Sequence, residues 1–586
     1  MIEPKIHPQL LLHPLRFYLR KFRRWLFVGF FFLIITNVLD GISPLLIKLA
    51  LDQLEKRTPL AEVDRTILFF FFAMTGLAVT RWGWRYGFGH FHTSILEHLR
   101  RRTFIKLLSL SQRFFHKSSV GDLVSVVIND IQTFRQNIGA GLLVFFDGVI
   151  ILSVILPIMV RMNADWTWKC LLLVPLVPLA IFKMMRKIHL ASQKNQENFG
   201  EISRATQENV SGIRLIKGFA IEDQMLKNFA TLNERYQQSS TETALWDSMF
   251  APLFHGTVAF GNVILVFLVL QDQGTEAISL GTFVAFSRYI QKMVWPMMAL
   301  GMGLSQFQKG FGAFERVKDL LQQTSEIKDK GSRSLPEFES LEVKNLNFHY
   351  QPTAPWILKN VSFQIQRGEF VGLIGPVGAG KSTLLQLLPR LFDASSGEIL
   401  INGHAIREYR LEDLRKQICL VPQDLFLFSE TIKENVHVDE PDSTVQEILA
   451  RVQLMEEIEK FPSGLHTSLG ERGVNLSGGQ RQRMTLARAL IKLPQVLLID
   501  DTLSAVDVET EGKILQAIGE FAKGKTLIMV SHRIESLRQA QKIIVLSEGQ
   551  IEAIGTHDDL LHFSPTYKVL ADLQTTSGTE SQEVST

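Results

Sequence analysis

The sequence predicts a two-part fold: an α-helical membrane domain of six transmembrane helices with long cytoplasmic extensions, fused to a soluble α/β domain. Apolar residues make up 46% of the 586 residues, and the long apolar runs lie before residue 310. Beyond that point, short apolar runs of the β type alternate with glycine-rich turns and helix-like segments. This alternation is typical of a sheet whose parallel strands are covered by helices.

Composition supports this division and excludes other classes of protein. The mean hydropathy is positive, at +0.11. The two cysteines, Cys170 and Cys419, offer neither a disulfide framework nor a C-x-x-C metal site. The formal net charge of +3 is small for this length, so the positions of the charges are more informative than their sum.

Residues 1–24 predict an amphipathic helix on the cytoplasmic face of a membrane, because basic side chains surround an apolar stripe. The basic residues are Lys5, Arg16, Arg20, Lys21, Arg23 and Arg24, and the stripe is Leu10, Leu11, Leu15, Phe17 and Leu19. The apolar run 25–51 is too long for a signal-peptide core and lacks a small-residue cleavage pattern. We therefore expect a retained first span and a cytoplasmic N-terminus.

Five further apolar runs are long enough to cross a bilayer, which gives a transmembrane domain over residues 25–321. They cover residues 66–89, 138–160, 166–185, 250–270 and 280–304. The connections 95–137 and 186–246 are long, polar and rich in lysine and arginine, whereas the others are short. By the positive-inside rule the long connections are cytoplasmic.

Ionisable residues within the spans are costly in hydrocarbon and should face the bundle interior or a cavity. They are Asp40, Lys48, Arg81, Arg85, Asp147 and His255. Asp147 lies near the middle of its span and is the best candidate for a residue on a substrate path. An ion pair with Arg81 or Arg85 is an equally good interpretation.

A glycine-rich turn in the C-terminal half has the spacing of a P-loop. An apolar run from Phe370 leads into this turn, and a helix-like segment follows it. Glycines there let backbone N–H groups wrap phosphate oxygens, and the following helix adds its dipole. Lys381 would reach the terminal phosphates, and the Ser382 hydroxyl would bind Mg²⁺. The candidate ATP-binding residues are Gly375, Pro376, Val377, Gly378, Ala379, Gly380, Lys381, Ser382 and Thr383.

Two more segments carry chemistry that suits a nucleotide. The run 496–500 predicts a buried strand that ends in Asp500, a carboxylate able to organise Mg²⁺ beside the P-loop. The pentapeptide Leu476-Ser477-Gly478-Gly479-Gln480 precedes a helix-like segment and forms a second anion-binding end.

Together these segments resemble the ABC-type ATPases, and the resemblance covers residues 341–573. It implies that Tyr350 stacks on adenine and that Gln423 senses Mg²⁺ and the transmembrane partner. Asp507 matches the family's D-loop, and His532 matches the switch histidine that contacts the γ-phosphate. Carried over in this way, the Mg²⁺ residues are Ser382, Gln423 and Asp500, and the catalytic residues are Asp501, His532 and Gln423.

The segments on either side of the ATPase-like region, and the two long connections between spans, also carry predictions. Residues 322–340 predict a polar linker, and residues 574–586 a disordered tail. The segments 114–130 and 208–222 resemble the cytoplasmic loops of ABC exporters, each with a short coupling helix; the second is expected around 219–223 and on the partner's ATPase domain. A solvated helical hairpin of no special role is the alternative, but it leaves the apolar side chain of Phe219 unexplained.

One position departs from the family pattern. Hydrolytic members place a glutamate after the strand-end acid, where this chain has Asp501. The shorter carboxylate would lie roughly 1 to 1.5 Å back from the attacking water, and such a displacement can cost about a hundredfold in rate. The resemblance is therefore to the degenerate-site subunit of heterodimeric bacterial ABC exporters.

The predicted function is ATP-driven export of a lipophilic small molecule or lipid by one half of a dimer in the bacterial cytoplasmic membrane. The second half is a different chain on this interpretation. An importer on the same fold and a regulatory or ATP-gated subunit are the alternatives. The fused spans exclude a soluble ATPase that acts on nucleic acid.

Overall fold

The computed structural model describes residues 13–171, 176–271, 279–470, 473–501, 508–521 and 523–583. The chain divides into two compact units. The helical unit combines Pro4–Lys106 with Gly121–Gln322, and the α/β unit combines Leu107–Val120 with the chain from Gln323 onward. Residues 1–12 of the predicted amphipathic segment lie outside the described residues.

The helical unit is built from long helices joined by several short ones. These are α1 (Pro14–Lys21), α2 (Arg23–Glu55), α3 (Leu60–Ser109), α5 (Val120–Ser125), α6 (Ile131–Met162), α7 (Ala164–Leu171), α8 (Leu176–Ser211), α9 (Ile213–Phe219), α10 (Glu222–Ser248), α11 (Phe250–Gln271) and α12 (Leu280–Gln322). A short π-helical segment, Val126–Asp130, joins α5 to α6. One helix of this part of the chain, α4 (Gln112–Lys117), belongs to the α/β unit instead.

Four helical stretches in the described part of the chain are long and apolar enough to cross a membrane: Arg23–Glu55, Leu60–Ser109, Val120–Met162 and Glu222–Gln271. Four of the predicted spans fall within them. The predicted span 166–185 includes residues outside the described ranges, and 280–304 forms the first part of α12. The count of six spans therefore stays a prediction.

Close backbone approaches hold the helical unit together. A Cβ on Gly87 of α3 would lie 2.5 Å from the backbone nitrogen of Gly29 in α2. A Cβ on Gly148 of α6 would lie 3.0 Å from the carbonyl oxygen of Pro296 in α12. Small residues at such crossings let helices pack at short distance, which strengthens van der Waals contact in a membrane.

The α/β unit contains two sheets. The antiparallel sheet has the order β2-β1-β4-β5, and the second sheet has the order β10-β9-β3-β8-β7-β6. The strands are β1 (Ser340–Phe348), β2 (Leu358–Gln366), β3 (Phe370–Ile374), β4 (Ser396–Ile401), β5 (His404–Ala405), β6 (Ile418–Val421), β7 (Val496–Asp500), β8 (Thr526–Val530), β9 (Lys542–Ser547) and β10 (Gln550–Gly555). Strands β9, β3, β8, β7 and β6 are parallel. β7 and β8 are buried along their whole length, which explains their uninterrupted apolar sequences.

Helices alternate with these strands along the chain, as the sequence predicts. They are α13 (Lys381–Leu387), α14 (Leu411–Gln417), α15 (Ile432–Val436), α16 (Asp442–Arg451), α17 (Met455–Ile458), α18 (Gly478–Leu490), α19 (Val508–Phe521), α20 (Ile534–Leu537), α21 (His557–Phe563) and α22 (Pro565–Glu583).

The segment predicted to be a polar linker is packed against the α/β unit. Leu335 and Phe338 are 3% and 1% exposed and belong to a hydrophobic core that they share with β1 and β2. Arg333 forms a bridge to Tyr409 through their backbones. A linker with buried apolar side chains is part of the domain it joins rather than a loose tether.

The C-terminal helix is attached to the α/β unit at its beginning. Helix α22 runs from Pro565 to Glu583, and the disordered tail over residues 574–586 stays a prediction. Tyr567 at its beginning is fully buried, and its hydroxyl lies 2.7 Å from Nδ1 of His557 in α21.

We predict that Phe338→Ala lowers the free energy of unfolding of the α/β unit by roughly 3–5 kcal/mol, because it removes a fully buried aromatic side chain. Glu339→Ala, a change of an exposed neighbour, is the control. Unfolding can be followed in the solubilised chain by thiol labelling of Cys419 on β6, in a Cys170→Ser background. Equal melting temperatures for Phe338→Ala and the control would show that the linker contributes no packing.

Candidate functional site

Four loops of the α/β unit meet at one edge of the second sheet. Because β3, β8, β7 and β6 are parallel, their carboxyl ends lie on the same side, where ligands bind in α/β sheets. The P-loop follows β3, His532 follows β8, Asp500 ends β7, and Gln423 follows β6. The strand order therefore brings together residues that are distant in sequence.

The P-loop owes its path to glycine. Gly375 has φ +152°, and a Cβ there would lie 2.0 Å from the carbonyl oxygen of Leu546. Gly380 has φ +98°, in the left-handed region. Pro376, Val377 and Gly378 are exposed at the top of the loop, whereas Gly375, Ala379 and Gly380 are buried beneath them.

Lys381 is held inside the P-loop. Its Nζ donates hydrogen bonds to the carbonyl oxygens of Gly375 at 2.8 Å and Pro376 at 2.9 Å. Burial lowers the pKa of Lys381, and the carboxylates of Asp500 and Asp501 oppose that decrease. The arrangement places a cation under the loop whose backbone would bind phosphate.

Ser382 and Asp500 form the oxygen pair that a divalent cation requires. The Ser382 hydroxyl donates a hydrogen bond of 2.9 Å to Oδ1 of Asp500, and Asp500 is 3% exposed. Burial raises the pKa of Asp500, while the bond from Ser382 and the charge of Lys381 lower it. A hydroxyl and a carboxylate are ligands that suit Mg²⁺, so these residues fit the predicted ion.

Asp501 lies beside the predicted switch histidine. Its Oδ2 is 3.9 Å from Nε2 of His532, and burial raises its pKa while His532 opposes the rise. The backbone of Asp501 has φ +44°, a left-handed conformation that aspartate tolerates better than most residues. Its backbone N–H donates to the carbonyl oxygen of Val530 at 3.0 Å, which ties β7 to β8 next to both side chains.

Tyr350 is fixed at the end of β1 by contacts to the P-loop helix and an aromatic cluster. Its hydroxyl lies 3.0 Å from Oγ1 of Thr383, and its ring is perpendicular to that of Phe392 at 5.4 Å. The imidazole of His116 in α4 lies 6.1 Å from the Tyr350 ring and 5.9 Å from Phe392. The sequence did not predict the contact of His116 with Tyr350, because the pattern of this loop indicates a coupling helix and carries no signal for a contact with the end of β1.

Helix α4 has a polar attachment as well. Nη1 of Arg113 lies 3.0 Å from Oε2 of Glu326, and Nη2 donates to the carbonyl oxygen of His349 at 3.4 Å. The short helix predicted in the first long connection is therefore present and packs within the α/β unit. In the second connection, the short helix is α9. The coupling helix was expected around Phe219–Asp223, but these residues form the end of α9, a turn with Ala220 at φ +53°, and the start of α10. Phe219 is 72% exposed there.

The pentapeptide 476–480 begins helix α18. The Ser477 hydroxyl accepts a hydrogen bond from the backbone N–H of Gln480, and the Gln480 side chain accepts one from the backbone N–H of Ser477. This capping box leaves Ser477 exposed, with Gly478 and Gly479 in the first turn. Leu476 is 4% exposed in the core, so its side chain anchors the loop.

Two predicted residues have less structural context. Gln423 follows β6 and is exposed, at the same sheet edge as Asp500. Asp507 lies outside the described residues, as does the rest of the predicted D-loop.

One of the two interpretations of Asp147 was an ion pair with Arg81 or Arg85, and the cations of the helical unit lie elsewhere among the described residues. Asp40 forms ion pairs with two cations. Lys292 Nζ lies 2.5 Å from its Oδ2, and Arg81 Nη2 lies 3.8 Å from its Oδ1. Asp147 instead accepts hydrogen bonds from the amide of Asn37 at 2.9 Å and the indole of Trp295 at 3.4 Å. Neither Arg81 nor Arg85 pairs with Asp147 in the described part of the chain, so the structure does not form the ion pair with these two arginines.

The apolar helices and the phosphate-binding loop define the class of this protein: a membrane protein with a fused P-loop ATP-binding domain. The family model described as "ABC transporter transmembrane region" matches residues 26–297, and the model described as "ABC transporter" matches residues 358–504. The chain is 31% identical over 487 residues to the putative multidrug export ATP-binding/permease protein YgaD of Bacillus subtilis, covering 82% of this chain and 84% of that one.

A second relative from Bacillus subtilis, the probable multidrug resistance ABC transporter ATP-binding/permease protein YheI, is 31% identical over 539 residues, or 90% of this chain and 92% of that one. The chain belongs to the ABC transporter family, and it is an ATPase-coupled transporter. Its fold is that of a solved bacterial Atm1-family ABC exporter with ATP bound, at a TM-score of 0.78 and 23% identity over 94% of this chain and 99% of that one.

We predict that Lys381→Ala weakens ATP binding to this chain by roughly ten- to a hundredfold, because charged hydrogen bonds to phosphate are lost. Membrane insertion should survive, since the change lies in the α/β unit. Labelling by a photoreactive ATP analogue measures the effect. Lys416→Ala is the matched control, because it removes an exposed lysine of the same domain that pairs with Glu412. Equal labelling of the two variants would contradict the assignment of Lys381.

Proposed function

We propose that this chain is one half of a dimeric ABC exporter that uses ATP to move a lipophilic small molecule or lipid out of the cell. The observation that carries the proposal is the assembly of Lys381, Ser382, Asp500 and His532 at one sheet edge in a chain that also carries apolar helices of membrane-spanning length. Similarity to YgaD, a putative multidrug export protein, and to YheI, a probable multidrug resistance transporter, supports export.

We infer the membrane arrangement from the sequence and the loops. Six spans over residues 25–321 return the chain to the side on which it started, which we place in the cytoplasm of a bacterial cell. The basic long connections support that orientation. The packing of α4 within the α/β unit supports it too, because a segment joining two spans then lies with the ATP-binding domain.

The individual roles are those that the family resemblance implies. The P-loop and Lys381 bind the phosphates, Tyr350 stacks on adenine, and Ser382 and Asp500 hold Mg²⁺, with Gln423 as a further oxygen ligand. When bound, Mg²⁺ neutralises phosphate charge. His532 contacts the γ-phosphate, Asp501 occupies the position of the general base, and Asp507 belongs to the D-loop. Residues Leu476, Ser477, Gly478, Gly479 and Gln480 complete the site of a partner chain, where the exposed Ser477 and the first turn of α18 face the phosphates.

Asp501 favours a different chain as the partner. In a homodimer, both ATP sites would have the short carboxylate, and hydrolysis would be slow at each. In a heterodimer, the intact pentapeptide of this chain completes a site built on the partner's P-loop and glutamate. The site on this chain would then hold ATP longer and keep the two ATP-binding domains associated.

Asp501 also favours a second candidate, a regulatory subunit whose own site binds ATP and scarcely turns it over. The import direction is a further alternative on the same fold. Transport polarity in inverted membrane vesicles separates export from import, and cargo transport by the complex separates a transporting from a regulatory subunit.

We predict that Ser477→Arg in the two-chain complex lowers ATPase activity on the order of a hundredfold or more, because a bulky cation displaces the phosphate-binding turn of the efficient site. Asp501→Asn should change the activity little, because it alters only the slow site. Steady-state ATPase assays of the reconstituted complex measure both.

The purified chain alone provides the opposing test. A stable homodimer with ATPase activity as fast as that of a glutamate-bearing exporter, falling sharply on Asp501→Asn, would contradict the heterodimer.

Asp147 supports a polar contact on the cargo route. Its carboxylate accepts from two neutral donors on α2 and α12, so its negative charge is not neutralised by a cation among the described residues. The Trp295 side chain beside it is 45% exposed, and an indole face attracts cations. A lipophilic cargo with a positive group would find both a counter-charge and an aromatic surface here.

We predict that Asp147→Asn lowers transport of a lipophilic cation by about tenfold, equivalent to about 1.4 kcal/mol, and leaves transport of a neutral lipophilic cargo unchanged. Asp165→Asn, which neutralises an exposed acid of the same unit that pairs with Lys169, is the control. Uptake into inverted vesicles measures the effect. Equal loss for both cargoes would assign Asp147 a structural role.

A further inference from the structure

One side chain from the C-terminal helix binds the loop that carries His532 at two points. The Gln574 Nε2 donates a hydrogen bond of 2.5 Å to the carbonyl oxygen of His532. Its Oε1 accepts a hydrogen bond of 2.9 Å from the backbone N–H of Ile534. One carboxamide therefore binds the backbone at His532 itself and two residues beyond it.

The helix that supplies Gln574 is rigidly attached to the α/β unit. Tyr567 of α22 is fully buried, and Leu570 and Ala571 pack against the same hydrophobic core as β7 and β8. Glu552 of β10 accepts hydrogen bonds from Ser564 and Thr566 at the start of the helix. The position of Gln574 is thus set by packing one to two turns earlier in the helix.

The other side of the loop is held by a buried acid. Glu511 of α19 is 6% exposed, pairs with Arg533 and accepts a hydrogen bond of 2.6 Å from the Ser536 hydroxyl. These contacts hold the side chains of Arg533 and Ser536. The backbone of the loop is bound by Gln574 and also by the Ser531 hydroxyl, which accepts a hydrogen bond of 3.0 Å from the N–H of Arg533. The only direct contact to the peptide group of His532 from α22 among the described residues is that of Gln574.

We propose that Gln574 is a positioning residue for His532, and that α22 thereby sets how the site distinguishes ATP from ADP. The inference rests on the proposed role of His532 as the residue that contacts the γ-phosphate. A histidine can favour ATP only if its imidazole is held at a fixed distance from the third phosphate, and two backbone hydrogen bonds restrict the movement of the peptide that carries it.

The chemistry of the side chain makes the proposal specific to glutamine. A carboxamide donates and accepts at the same time, which matches one carbonyl oxygen and one N–H. Glutamate would keep the bond from Ile534 but place a carboxylate oxygen against the carbonyl oxygen of His532. Methionine has a similar length and helix propensity, yet it makes neither bond.

The test is made on the full-length chain in its complex, by photolabelling this chain with a reactive ATP analogue and competing with ATP or ADP. Gln574→Met should lower the preference for ATP over ADP on the order of three- to tenfold, the effect of one or two net hydrogen bonds. Gln574→Glu should lower it as well. ADP affinity should stay at the wild-type value, because ADP lacks the γ-phosphate.

Two further variants separate the possible failures. Gln446→Met makes the same chemical change at an exposed position of α16 and should behave as the wild type. His532→Ala should abolish the preference for ATP. If His532→Ala leaves the preference unchanged, the proposed role of His532 fails and this inference fails with it.

If His532→Ala lowers the preference and Gln574→Met does not, only the positioning role of Gln574 is overturned. A Gln574→Met variant that weakens ATP and ADP equally would show a general structural role and would also overturn the inference.

Discussion

The order of strands in the second sheet of the α/β unit brings Ser382, which follows β3, to Asp500 at the end of β7. The rest of the ATP site depends on the same order. β8 lies between β3 and β7, so the loop bearing His532 emerges between the P-loop and the strand-end acids. All these strands are parallel, and their carboxyl ends coincide. A change of register in β7 would move Asp500 to the opposite face of the sheet. The uninterrupted burial of β7 and β8 therefore fixes the chemistry at their ends.

Charge in the helical unit is distributed unequally. Asp40 has Lys292 and Arg81 as partners, whereas Asp147 has only neutral hydrogen-bond donors among the described residues. A paired acid stabilises a helix crossing, whereas an acid whose partners are neutral donors keeps acceptor capacity for a ligand. This difference supports separate roles: a structural contact for Asp40 and a place on the cargo route for Asp147.

The ATP-binding domain has a P-loop, a strand-end acid and the pentapeptide 476–480, but it has Asp501 where the family pattern has the longer glutamate. Asp501 adopts a left-handed backbone conformation and lies 3.9 Å from His532, so the backbone places the carboxylate at the site and the missing methylene is the difference from the family pattern. Holding ATP requires fixed contacts to its phosphates, whereas hydrolysis also requires a base at the correct distance from water. We propose that the hydrogen bonds of Gln574 to the His532 loop serve the first requirement. A site with fixed phosphate contacts and a short base is one that we expect to retain ATP rather than turn it over.

The sequence by itself determined the P-loop, the acid at the end of β7, the capped start of α18 and the alternation of strands and helices, because local turn chemistry and apolar periodicity specify each of them. It also predicted a short helix in the first long connection, which is α4. It did not determine which acid pairs with which cation in the spans, that Phe338 of the presumed linker is buried, or that Gln574 binds the His532 loop. Only the tertiary structure decided these, because each depends on the packing of segments far apart in the chain. Gln574 lies 42 residues beyond His532, and its sequence neighbourhood resembles that of an ordinary polar helix end.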